Sequence, residues 1–295
     1  MAKINIIQPS FEILDNSNPY KIIETAGRLC YKSEDKITED SYKPFIENLL
    51  KRKHYAVLEH GWISLILSRE IFEEVRNNNP KFLYFKDNVV SGNVRAWLEY
   101  LENHPNGYIQ NTLNLNYPVM FSAQSDSRLE DFYKCEILDR NPTVSVRFIH
   151  DRAFTHELVR HRVASYCQES QRYVNYSREK FGESITYIEP IMDEPDTVKE
   201  YQKKIVWKTL CDQAADAYFS MINLGCKPQE ARAVLPNSTK TEIIITATKA
   251  EWKHIFSLRC DTAAHPAMRQ VMIPLREEFI KRNLLADLLK KKKKN

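Results

Sequence analysis

Apolar and polar positions along this chain alternate between two periods. Short runs that alternate, or that are rich in β-branched residues, predict strands at Ile4 to Gln8, Phe11 to Leu14, Trp62 to Leu67, Thr143 to Ile149, Ile185 to Ile188 and Thr239 to Thr248. Helical spacing fills the intervals. Asn18-Pro19 opens a helix through Ile22, Ile23, Ala26 and Leu29, with proline at its first position. A second runs from Glu39 to about Arg52. Asp196 to about Leu224 predicts a long helix with Val206, Leu210, Ala214, Ala217 and Met221 as its inward stripe and Gly225 as its stop. Lys227-Pro228 starts a short helix holding Arg232. Lys249 to Cys260 buries Trp252, Ile255 and Phe256, and Arg259 continues that stripe one turn later. His265-Pro266 begins a final helix through Met272 and Phe279.

Residues 69 to 142 interrupt this order. They carry Asn77-Asn78-Asn79-Pro80, His104-Pro105-Asn106-Gly107 and Asp139-Arg140-Asn141-Pro142, all turn chemistry, around a helical pattern at Val94, Trp97, Leu98 and Leu101. The segment reads as an insertion, with the strand at 143–149 expected to pair with 62–67 across it. The fold class expected is α+β: a mixed domain with a central, mainly antiparallel sheet flanked by helices, lacking βαβ regularity. Residues 1–289 read as a single domain, and the lysine run in 290–295 as a solvated, disordered tail.

Composition narrows the function. The chain has 295 residues, 43% of them hydrophobic, ample for a sizeable core. Its net charge is +4, and five lysines sit in the tail, so the remainder is near neutral and gives no case for nucleic acid. No stretch is apolar enough to act as a signal or a membrane span, and the six scattered cysteines lack CxxC spacing. The expectation is a cytoplasmic protein with reduced thiols. The six glycines are far apart, and neither a GxGxxG turn nor a GxxxxGK[ST] loop exists. A bound nucleotide would need side chains to hold its phosphates.

Arginines supply such side chains. A helical pattern through Phe154, Leu158 and His161 leads into Arg160-His161-Arg162 and on to Gln168, Glu169, Ser170, Arg172 and Tyr173. Arginine's planar fork matches phosphate and carboxylate. Arg160 and Arg162 would diverge by about 200° on a continuing helix, so the helix should loosen near His161. An extended chain beyond it would project Gln168, Ser170 and Arg172 to one side. No metal site is expected: His156 and His161 are five apart, not the i, i+4 of HExxH. Cys167 amid arginines and Ser170 without a nucleophile elbow are weak nucleophile candidates. Arg259 is the sharpest question, because a cation on an apolar stripe needs an anion or acceptor.

The Arg160-His161-Arg162 run, with Ser170 eight residues on and Arg172-Tyr173 closing it, resembles the defining motif of the flavin-dependent thymidylate synthases. His54-Tyr55-Ala56-Val57-Leu58-Glu59-His60 resembles that family's upstream histidine motif. Arg232-Ala233-Val234-Leu235-Pro236 and Leu258-Arg259-Cys260-Asp261 resemble its later arginine motifs. The resemblance implies an enzyme making dTMP from dUMP, with methylenetetrahydrofolate as carbon donor, NADPH as reductant and FAD relaying the hydride. It implies a homotetramer whose sites are shared between chains. Flavin contacts would fall on His54, Ala56, Arg160, His161, Arg162, Gln168, Thr248 and His254. The dUMP site would use Glu157, Arg160, Gln168, Glu169, Ser170, Arg172, Arg232 and Arg259, with Arg259 the catalytic group that favours ionisation at the uracil N3. Three departures stand out. Thr248-Lys249-Ala250 replaces an Asn-x-Arg pattern, Gln168 replaces a carboxylate, and Lys53 and Tyr55 replace a Gly and Glu. The rival readings are a non-enzymatic nucleotide- or RNA-binding protein with an arginine/tyrosine platform, and a metal-dependent hydrolase.

Overall fold

The computed structural model describes residues 3–121, 134–178, 182–192 and 197–285; the lysine tail lies outside them. The β-branched run at 240–248 becomes the centre of the fold. This strand, β10 (Lys240–Thr248), lies between β7 (Thr143–Asp151) and β8 (Ala164–Gln168), and β2 (Ser10–Leu14) pairs with the far edge of β7. All these pairings are antiparallel. Residues Thr241 to Ala247 are buried without alternation, so β10 is covered on both faces. One face, with Ile243, Ile245 and Ala247, packs on α9 (Lys249–Arg259) and α10 (Pro266–Lys281). On the other, Ile244 meets Ala26 and Leu29 of α1 (Pro19–Tyr31).

Local signals set the helix ends. Asn18 accepts from the amides of Tyr20 and Lys21 to start α1, and Asp151 accepts from Phe154 to start α6 (Arg152–Leu158). Thr248 accepts from Glu251 to start α9. Trp252 is fully buried, and its indole donates to the Val144 carbonyl at 2.9 Å, so its one polar atom is satisfied.

The strand β3 (Trp62–Leu67) does not pair with 143–149 as expected. Residues 69–142 bring their own strands: β4 (Leu83–Lys86), β5 (Val89–Asn93) and β6 (Cys135–Leu138), in the order β4-β5-β3-β6. Both edges of β3 are thereby filled, and β7 is left for β2 and β10. The same stretch also holds α3 (Arg69–Asn77), α4 (Val94–Asn103) and α5 (Gly107–Asn116). Their apolar faces share one core with α1 and α2 (Tyr42–Lys51), centred on Trp97, which donates to the Ile63 carbonyl.

The long helix α7 (Thr197–Asn223) corrects a second expectation. Its buried residues are Cys211, Ala214, Ala215 and Tyr218, whereas Val206 and Leu210 are 71% and 55% exposed. From Trp207 onward it reaches the small core that it shares with the parallel pair β1 (Lys3–Ile7) and β9 (Ser184–Ile188). Before Trp207, Val198, Tyr201, Ile205 and Val206 face outward.

A buried ion cluster ties α1 to the sheet. Glu242 on β10 takes Lys32 at 2.5 Å and also binds Lys240 and Arg147. Burial alone would push this carboxyl up, but Lys240 and Lys32 outweigh it and hold its pKa at about 2. Lys240 reaches Glu169 as well, at 3.0 Å. The cluster therefore fixes the segment that follows β8.

Candidate active site

The helix α6 ends at Leu158, and the chain turns out of helical geometry before His161, as the diverging arginines required. Tyr166 on β8 holds the turn: its hydroxyl lies 2.9 Å from the Leu158 carbonyl and 2.7 Å from that of His161. Arg160 and Arg162 are exposed on either side, and no described residue accepts a hydrogen bond from their guanidinium groups. His161 faces inward and is buried.

Arg259, at the end of α9, is pinned there. Its Nε donates to His161 Nε2 at 2.9 Å, one terminal nitrogen to Glu157 Oε2 at 3.1 Å, and the other to the Glu157 carbonyl at 2.7 Å. A guanidinium has five N–H groups, so two remain. The side chain keeps 17% of its surface exposed, which gives those two an open side. Burial, then the Arg259 cation and His254, bring the His161 pKa down to about 4. The ring is thus neutral near pH 7. With Nε2 accepting from Arg259, its proton sits on Nδ1, 3.9 Å from Glu251 Oε1. His254 lies edge-on to it at 6.0 Å.

His161, Glu251 and His254 have the spacing of a cation site, their ligand atoms all lying within 4.8 Å of one another. The guanidinium 2.9 Å from the same imidazole opposes a second cation there. Of the other histidines weighed for metal, His150 is stacked on Phe154 and His156 is exposed.

Gln168 turns its amide nitrogen inward to Thr155 and Thr241, at 3.0 and 3.2 Å. Glu169 is buried in the ion cluster, and Ser170 donates its amide to the Cys30 carbonyl. The extended run does not continue to Arg172 as expected. A turn closes at Ser170, with the amides of Tyr173 and Val174 both donating to its carbonyl, because the segment must fold back on α1. Arg172 lies over the ring of Tyr173.

The structure thus brings Glu157, His161, His254 and Arg259 together, and gathers Gln168, Glu169 and Ser170 at the end of β8. Thr248 spends its hydroxyl on the α9 cap. His54, Ala56 and Arg232 are exposed, and no described contact joins them to either group. In the upstream motif the buried histidine is His60, whose Nδ1 meets Thr246 at 2.8 Å.

Two further groups escape the sequence reading. Glu251 looks like an ordinary first-turn acid. Arg152 looks like a first-turn surface cation, yet it is half-buried and no described residue accepts from its guanidinium. Burial pulls its pKa down, with Tyr176, Arg232 and Glu169 as its electrostatic neighbours. Near it, the Tyr176 hydroxyl and Gln171 Nε2 are buried beside each other, within electrostatic reach of one another and with no other hydrogen-bond partner. A guanidinium beside a buried donor pair with no further partner calls for an acceptor. Periodicity carries no signal for this, since the three residues meet only through the fold.

Residues 141–282 match the family described as thymidylate synthase complementing protein. A flavin-dependent thymidylate synthase of Pyrococcus furiosus is 37% identical over 139 residues, which are 47% of this chain and 54% of that protein. One from Geobacter sulfurreducens is 36% identical over 125 residues, 42% of this chain and 50% of that protein. The chain spans about half the length of these curated relatives. Among solved structures, a UMP/dUMP methylase from Streptomyces cacaoi is 14% identical with a TM-score of 0.45, covering 95% of this chain and 92% of that one, a likeness too low to bear on function. The motifs around Arg160, Arg232 and Arg259 all fall inside the matched stretch, so it is residues 141–282 that carry the likeness to the thymidylate synthase complementing protein family.

Proposed function

We propose that this protein makes dTMP from dUMP, with methylenetetrahydrofolate as carbon donor, NADPH as reductant and FAD as the hydride carrier. The observation that carries the reading is the Arg259 clamp within the family-matched stretch: three N–H groups fixed by Glu157 and His161, two left over. Those two donors suit the edge of a uracil, where negative charge develops as N3 loses its proton. Because Glu157 and His161 set the fork beforehand, little reorganisation is needed when charge appears. His161 must stay neutral for this, and its depressed pKa keeps it so.

The residues fit a flavin dinucleotide. Arg160 and Arg162 offer cations without described acceptors for a diphosphate, and Trp62 Nε1 is buried beside an open cleft without a partner. When bound, FAD would supply the redox chemistry that no side chain here can. Arg152, Gln171 and Tyr176 offer the donor set for the phosphate of dUMP. We place the remaining family positions, His54, Ala56, Gln168, Thr248 and His254 for flavin and Glu169, Ser170, Arg172 and Arg232 for dUMP, within the same reading. Assembly into a homotetramer is part of it too. Val198, Tyr201, Val206 and Leu210 expose apolar surface along α7 that assembly would cover.

The test is anaerobic turnover of dUMP with the folate donor, NADPH and added FAD. dTMP that forms only when FAD is present supports the reading, and folded protein yielding none removes it. The second reading, a nucleotide- or RNA-binding platform, has the Arg172–Tyr173–Tyr31 stack in its favour and predicts binding without turnover.

A further inference from the structure

The inserted hairpin presents an aromatic face toward the family-matched half of the chain. Pairing aligns Trp62 with Asn93, Leu83 with Gly92, and Tyr84 with Ser91 and Ser64. With a period of two, Leu83 and Ile63 point into the core, while Tyr84 and Trp62 fall on the opposite face, and Phe82, just before the strand, lines the same cleft as both. Phe82 and Tyr84 are 59% and 40% exposed, unusual for neighbouring aromatics on a soluble edge strand. Phe82 is held at φ +64°, a region bulky side chains avoid and that tends to mark functional sites.

This face borders two clefts. One, of about 260 Å³, is closed on its far side by Arg162, Val163 and Ser165. The other, of about 360 Å³, is closed by Thr248, Lys249 and Ala250. Trp62 and Tyr84 wall both, and their rings lie 5.5 Å apart. The pair of clefts has the size of a small-molecule site. Trp62 Nε1 is buried and unpartnered although the residue is over nine-tenths buried, a donor without an acceptor in the cleft wall. Tyr84 also lies within electrostatic range of Glu251, so the hairpin reaches the α9 end of the His161 cluster.

We propose that the insertion builds one wall of the cofactor groove, with Tyr84 and Phe82 stacking on a flat ring of a flavin dinucleotide whose cationic neighbour is Arg162. This inference rests on the flavin reading above and deepens it. It also gives a role to residues that the matched half of the chain does not contain. Thr248 and Ala250, which stand where the family pattern has Asn and Arg, line the same groove, so ring stacking from the insertion compensates for contacts missing there.

The experiment is calorimetric titration of wild type, Tyr84→Ala, Phe82→Ala and Tyr84→Phe with FAD, and with FMN and ADP as separate ligands. Loss of one stacked ring should weaken FAD binding about ten-fold or more, and Tyr84→Phe, which keeps the ring, should bind like wild type. FMN affinity lost with FAD affinity puts the isoalloxazine on the wall, and ADP affinity lost with it puts the adenine there; both support the proposal. Wild type that binds FAD while Tyr84→Ala and Phe82→Ala, folded by circular dichroism, bind it equally well overturns the wall alone. Wild type that binds no FAD overturns the flavin reading as well.

Discussion

Arg259 and His161 hold each other in one protonation state: the guanidinium Nε donates to imidazole Nε2 at 2.9 Å, which only a neutral ring can accept. The His161 pKa lies at about 4 against 6.5 for a free imidazole, with Arg259, His254 and Glu251 around it. The folded state therefore binds fewer protons than the unfolded chain between these values. The stability this provides is complete above about pH 6.5 and is lost as pH falls toward 4, on the order of 3 kcal/mol over the whole interval. His60, brought down to about 3 by burial, acts in the same direction. Urea denaturation across pH 4 to 7.5 should show a shallower slope in His161→Gln than in wild type, with the His60 share remaining. Identical slopes would mean that His161 does not carry the shift.

Arg259 has a bland role available, because its bond to the Glu157 carbonyl caps the C-terminal end of α6. Lysine separates the two roles. It keeps a cation near that carbonyl but loses the fork that also serves His161 and Glu157. Arg259→Lys and Arg259→Ala should both lower dTMP formation by about 10² to 10³. Reduction of added FAD by NADPH in the absence of dUMP should survive in both. Near-normal dTMP formation in folded Arg259→Ala would leave Arg259 a capping residue only.

Glu242 anchors the ion cluster, and its removal takes the shared carboxylate from Lys32, Lys240 and Arg147, leaving Glu34 and Glu169 to answer three cations. Glu242→Gln should destabilise by about 3 kcal/mol, the low end for a broken buried pair, because the three cations keep partial exposure. Guanidinium denaturation midpoints measure this. Since Lys240 also holds Glu169, the variant should bind dUMP less tightly even where it is fully folded. Unchanged stability would show that the cluster exchanges its partners for water without loss.

Much of this was readable from the chain. Asn18-Pro19 and Thr248 announced their helices through capping chemistry, and the 240–248 run announced a central strand. Arg259 on an apolar stripe raised the question that His161 and Glu157 answer. The hairpin of β4 and β5 left a signal that went unread: Asp87 and Asn88 both have positive φ, the geometry of a two-residue turn that such residues favour. Its four- and five-residue strands are too short for periodicity to register. The outward stripe of α7 could not be read at all, since helical spacing shows which residues share a face and not whether anything covers it. Contacts such as Arg152 with Tyr176 depend on segments far apart in sequence.

Arg152 offers the last prediction. Its half-buried guanidinium meets no described acceptor and has the Arg232 cation nearby, which by itself is destabilising. The Tyr176 hydroxyl and Gln171 Nε2, buried beside each other, add a donor pair with no further partner. A nucleotide phosphate would satisfy all of these at once through charge-assisted hydrogen bonds. Arg152→Gln should then leave the ligand-free protein as stable as wild type or more so, since a desolvated charge is removed. Its affinity for dUMP should fall about ten- to a hundred-fold, as expected for losing a hydrogen bond to a charged group. Deoxyuridine, which has no phosphate, should bind both proteins alike. Thermal melts without ligand and calorimetric titrations with dUMP and deoxyuridine make the measurement. If the variant melts well below wild type and loses affinity for both ligands equally, Arg152 supports the fold through contacts of its own and the phosphate assignment is wrong.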